Sequence, residues 1–69
     1  MEIRIGNVYL SPNGVKWCVD SEPDNAGQIC LLEDDCSTMH VRWVKPITIK
    51  RRYVLIHNNK NGTLCYLDN

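Results

Sequence analysis

The sequence predicts an all-β fold, a small barrel or rolled antiparallel sheet of five to six strands. Three observations carry this expectation. Apolar residues recur with period two along most of the chain. Turn-forming clusters separate the alternating runs. No stretch sustains a 3.6-residue repeat over the length that helices usually need. The 69 residues suit one domain, residues 1–69, near the smallest chain that folds unaided.

The elements follow in order. Ile3 and Ile5 alternate with Glu2 and Arg4. Val8 and Leu10 come next, with Tyr9 on the opposite face. Ser11-Pro12-Asn13-Gly14 is a turn: proline fixes φ at the second position, and Asn-Gly accepts positive φ. It leads by a hairpin into Val15, Trp17 and Val19, which alternate with Lys16, Cys18 and Asp20. Residues 23–27 form a surface loop. Ile29-Cys30-Leu31-Leu32 reads as a strand buried on both faces, and residues 33–37 as an acidic connection. Met39, Val41 and Trp43 alternate with His40 and Arg42, and Ile47 and Ile49 with Thr48 and Lys50. A short helical or 3₁₀ turn around Pro46, or over residues 34–38, is the alternative to strand in those places. Tyr53-Val54-Leu55-Ile56 is a compact apolar strand, residues 58–62 a polar hairpin loop, and Leu64 and Tyr66 mark the closing strand.

Charge is sorted along the chain although the formal total is zero. Residues 1–35 hold seven acids against two bases, a balance of −5. Residues 36–69 hold six bases against one acid, a balance of +5. Asp20, Glu22, Asp24, Glu33, Asp34 and Asp35 lie at strand ends and in two loops, whereas the bases lie on or beside strands around Trp43 and Tyr53. A loop-end anionic patch and a strand-face cationic patch are therefore expected, and either can steer a charged partner.

No apolar run approaches the ~20 residues that span a bilayer. The N-terminus shows no basic segment followed by an apolar one, so the expected location is cytoplasmic. Cys18, Cys30, Cys36 and Cys65 lack the close paired spacing of zinc knuckles. Cys36-x3-His40 is the only ligand-like spacing, and a disulfide framework needs an oxidising compartment. Free thiols, no metal and no cofactor are the expectation.

Gly6-x2-Tyr9, then Gly14-x2-Trp17-x-Val19 after a turn, then the apolar strand Ile29–Leu32, then Trp43 before a basic stretch, form an ordered set of landmarks. This order resembles small SH3-like barrel proteins encoded by phages and prophages, over about two-thirds of the chain. The resemblance implies a compact accessory protein without catalytic machinery, often an inhibitor or adaptor acting on a host component. It carries over no functional residues.

An enzyme is not expected. Cys36 with His40 and Cys65 with His57 are the nucleophile–base candidates, yet positions i and i+4 on a strand lie ~13 Å apart. A chain this short also leaves little room for a substrate pocket of ~300 Å³. The acidic loop carries no EF-hand spacing, so it reads as a solvated turn. The stronger candidate is the segment from Lys45 to Tyr53, with four bases and one aromatic in nine residues. Arg42, Trp43, Lys45, Lys50, Arg51, Arg52 and Tyr53 are the expected partner-binding residues, with the six acids a secondary patch. The bland reading is a solvated edge whose bases prevent strand pairing. The functional reading is contact with a protein partner, plausibly a host factor, or with nucleic acid through phosphate contacts and stacking. A near-neutral isoelectric point argues against a dedicated nucleic-acid binder. Attraction between opposed blocks of two copies would give a homo-oligomer. Trp17 is assigned to the core and Trp43 to the contact surface.

Overall fold

The computed structural model describes residues 2–34 and 40–67. Its elements are β1 (Glu2–Arg4), β2 (Val8–Leu10), β3 (Lys16–Val19), β4 (Ile29–Glu33), β5 (Val41–Val44), α1 (Pro46–Arg52), β6 (Val54–His57) and β7 (Leu64–Leu67). All strand pairs are antiparallel. They form a five-stranded sheet in the order β5-β4-β3-β2-β6 and a two-stranded sheet of β1 and β7. The fold is mostly β, but the sheets do not close into a barrel. Seven strands are seen among the described residues where five to six were expected, because the chain ends contribute a separate ribbon.

Register assigns the faces. The pairs Tyr9↔Trp17, Trp17↔Glu33, Val19↔Leu31, Leu31↔Arg42 and Ile29↔Val44 place these side chains on one side of the large sheet. Most of them enter the core, together with Ile3 from β1 and Ile49 from α1. The other side carries Val8, Cys18, Leu32 and Val41 in one cross-strand row, with Cys30↔Trp43 beside it. None of these belongs to the core cluster. Tyr9 is thus the buried residue of β2, while Val8 and Leu10 are only partly covered. The expected polarity of that strand is inverted, because the largest side chain of the three fills the most volume.

The segment read as a strand through Ile47 and Ile49 is a helix. Proline at its first turn needs no N–H donor and has φ preset for a helix. Pro46 and Ile49, three residues apart, are buried, whereas Ile47 is exposed. Lys50, Arg51 and Arg52 occupy the last turn, where cations complement the exposed carbonyls. Tyr53 ends the helix in extended conformation as its N–H donates to the Ile49 carbonyl. The β2–β3 hairpin forms as expected: Ser11 N–H donates to Val15 O, and Gly14 adopts φ +84°. Residues 58–62 do not form a hairpin. β6 pairs with β2 and β7 with β1, so the two strands lie in different sheets.

A polar junction redirects that loop. Asn7 is fully buried, and its Oδ1 accepts the Asn59 N–H at 2.7 Å. Asn59 Nδ2 in turn donates to Ile5 O at 3.0 Å. A side chain at Gly62 would collide with the Ile5 carbonyl oxygen. Asn7→Ala leaves the Asn59 N–H without this acceptor and is expected to lower stability by about 1–3 kcal/mol. Urea unfolding measures this directly. A change below about 0.5 kcal/mol, the range of neutral surface substitutions, would remove the junction from its structural role.

Candidate functional site

Of the expected contact residues, Arg42 and Tyr53 meet, whereas Arg42 and Trp43 face opposite sides of the sheet. Alternation along β5 turns Arg42 to the core side of the sheet and Trp43 to the outer side. Arg42 Nη1 donates to Tyr53 Oη at 2.9 Å, and its guanidinium carbon lies 4.5 Å from the Trp17 ring centroid. Arg42 and Tyr53 therefore seal the edge of the core, with cation–π attraction worth about 0.5–1 kcal/mol at such a site. Trp43 is 48 % exposed and faces outward. Lys45 precedes α1, while Lys50, Arg51 and Arg52 are exposed on its last turn. The cationic surface thus belongs to a helix end rather than to a strand, because Pro46 starts a helix where alternation suggested β.

That helix end leads directly into an unusual strand. Among the described residues, β6 is an edge of the large sheet and pairs only with β2. Val54, Leu55 and Ile56 are 61, 43 and 46 % exposed. The sequence reading placed this run in a compact apolar strand, and an apolar triplet looks the same whether buried or exposed. An edge strand presents unpaired N–H and C=O groups, and proteins usually guard such edges with charge or proline inside the strand. β6 has neither. Its charged neighbours lie outside it, at Arg51 and Arg52 before and at Lys60 after.

The acids also divide. Asp24 Oδ1 accepts N–H bonds from Ala26 and Gln28, both at 2.9 Å, and so organises its own loop. Glu33 Oε2 lies 2.6 Å from His40 Nδ1. Asp20 and Asp34 act on Cys18, and Glu22 on Cys65, which lies on the small sheet. Asp35 and Cys36 lie outside the described residues. Among the described residues no group of three or more His, Cys, Asp or Glu is gathered as a metal site. No helix there is long and apolar enough to cross a membrane.

Open grooves exist among the described residues where the chain length suggested little room. One, of about 620 Å³, runs past Asn13, Trp17, His40 and Arg42. Another, of about 330 Å³, lies between Pro23, Lys45, Ile47 and Tyr66. Trp17 is 4 % exposed, as its core assignment requires, but its indole N–H is buried without an acceptor among the described residues. Such an orphan costs about 1–3 kcal/mol. Nothing in the spacing of the sequence signals it.

No protein-family model, curated protein or solved structure matches this chain.

Cys18, Cys30 and Cys65 are free thiols. Burial pushes each upward from its ordinary value. The carboxylates of Asp34 and Asp20 add to this at Cys18, and Asp20 alone does so at Cys30. At Cys65 the bond from Sγ to Ile3 O accompanies the burial. Burial likewise raises Tyr9, against the opposing bond from Asn7. A raised folded value means that the native state holds its proton longer than the unfolded chain. The resulting stability is complete below the unfolded thiol value of 9.0 and is lost as pH rises through the folded values. The urea midpoint is therefore expected to fall as pH is raised above about 9. An unchanged or higher midpoint over that rise would contradict the burial of these groups.

Proposed function

We propose that the chain is a non-enzymatic protein-binding module that takes an extended segment of its partner onto β6. The observation that carries this reading is the edge strand β6, exposed along its length and apolar over Val54, Leu55 and Ile56. Adding a strand satisfies the free backbone groups of the edge, and alternate side chains provide specificity. The chemistry of the partner follows from the flanks. An apolar centre bordered by acids would meet Val54–Ile56 in the middle and Arg51, Arg52 and Lys60 at the ends. Antiparallel pairing of two β6 strands would instead bring the Arg51–Arg52 end of one copy beside Lys60 of the other. Like charges at both ends disfavour that pairing.

In the setting implied by the resemblance to phage accessory proteins, the partner is a host protein that is inhibited or redirected. The nucleic-acid alternative keeps its bases at the end of α1 but loses its stacking platform. Tyr53 Oη is engaged by Arg42, and Trp43 faces the outer side of the large sheet.

The test is titration of isotope-labelled protein with a short extended peptide, apolar at its centre and acidic at both ends. Amide shifts are expected to concentrate at residues 54–57, with affinity falling as salt rises. Arg51→Glu with Arg52→Glu is expected to weaken binding about tenfold, or about 1.4 kcal/mol. Unmoved amides on β6 at every peptide concentration would sink the reading. Tighter, steeply salt-dependent binding of an oligonucleotide would replace it with the alternative.

A further inference from the structure

One side of the five-stranded sheet faces the core, which includes Ile3 of β1 and Ile49 of α1. The outer side presents an apolar row. Val8, Cys18, Leu32 and Val41 stand abreast on four strands, and β3, which carries Cys18, is the central strand of the five. Val41 and the neighbouring Trp43 are 53 and 48 % exposed. Charge enters this face on either side of the row. Lys16 and Asp20 are both exposed, and each lies two residues from Cys18. Alternation therefore turns both to the outer side. The ladder continues beyond the strand ends: Asp20 N–H donates to Cys30 O, and Asp34 N–H to Lys16 O. Asp34 thus stands opposite Lys16, and Asp20 opposite Cys30. His57 ends the row on β6, opposite Val8.

We propose that this face binds a second copy of the chain, outer side to outer side, about a two-fold axis that runs along the row. Stacked sheets lie about 10 Å apart with their strands roughly aligned. An axis along the row reverses the strands of one copy over those of the other. Each residue of the row then meets its own counterpart, Cys18 over Cys18 and Val41 over Val41. The same rotation sets Lys16 of each copy over Asp20 of the other. The alternative two-fold axis, along β3, would set Lys16 over Lys16 and Asp20 over Asp20. The charges therefore select the antiparallel stack. A lysine ammonium has three donors, enough for Asp34 beside it and Asp20 across the interface. The free backbone groups of β6 point sideways in the plane of the sheet, so this contact leaves them open and does not depend on a partner strand there.

Sedimentation equilibrium and thiol crosslinking test the proposal on the unaltered chain. The 8.0 kDa protein is expected to shift toward twice that mass as its concentration rises. A short bis-maleimide is expected to join Cys18 of one copy to Cys18 of the other, identified by mass spectrometry of the linked peptides. Lys16→Glu alone, or Asp20→Lys alone, is expected to raise the dissociation constant at least about tenfold, and the two together to restore most of the affinity. A single species of 8.0 kDa at every concentration would overturn the proposal. So would a dimer that the single reversals leave unchanged, or one whose crosslinks omit Cys18.

Discussion

A buried amide, Asn7, ties the two sheets of this small protein together. It lies between β1 and β2, the point at which the chain passes from one sheet to the other. Its side chain accepts a backbone hydrogen 52 residues away, while its own backbone N–H and C=O bond to Arg4 and Val19. Asn59 returns the connection through Ile5, and Arg4 Nη1 reaches Gly62 O at 3.1 Å. An unpaired amide in this position would be costly, so the junction strongly favours one path for the final third of the chain. The loop after β6 folds over the β1–β2 turn, and β7 is delivered to β1 instead of to β6.

The exposed strand edge follows from that rerouting. Had β6 and β7 paired as a hairpin, the outer edge of β6 would be covered and its three apolar side chains shielded. With β7 drawn away, the large sheet ends in a bare strand. Helix α1 comes just before that strand and places its bases at the entrance. At the other edge, Arg42 and Tyr53 link β5 to the start of β6 across the core face, so both edges of the sheet are mechanically connected. The fold is therefore held by a few polar links around a modest apolar core, which suits a surface that must remain open.

The sequence reveals the local pieces better than their assembly. Ser11-Pro12-Asn13-Gly14 encodes its turn in four residues, and of the apolar run Ile29–Leu32 the first three residues are buried while Leu32 is only partly covered. Alternation misled where two periods coincide: Ile47 and Ile49 satisfy a spacing of two, while the helical evidence was only the pair Pro46 and Ile49. The loop at residues 58–62 has good hairpin chemistry, and its diversion depends on a contact with Asn7 that no local pattern announces. Alternation on β5 separates Arg42 from Trp43, and the described acids divide among a loop, a histidine and the surroundings of three thiols. The bases Lys50, Arg51 and Arg52 share the last turn of α1, and their position on a helix was hidden by the same coincidence of periods.

The open β6 edge is the central claim, and amide hydrogen exchange of the free protein tests it most directly. Within residues 54–57, amides that face β2 should be protected, while those that point outward should exchange at nearly the rate of an unfolded chain. Protection of every amide in this strand would contradict the account, since it would require a second neighbour already paired along β6.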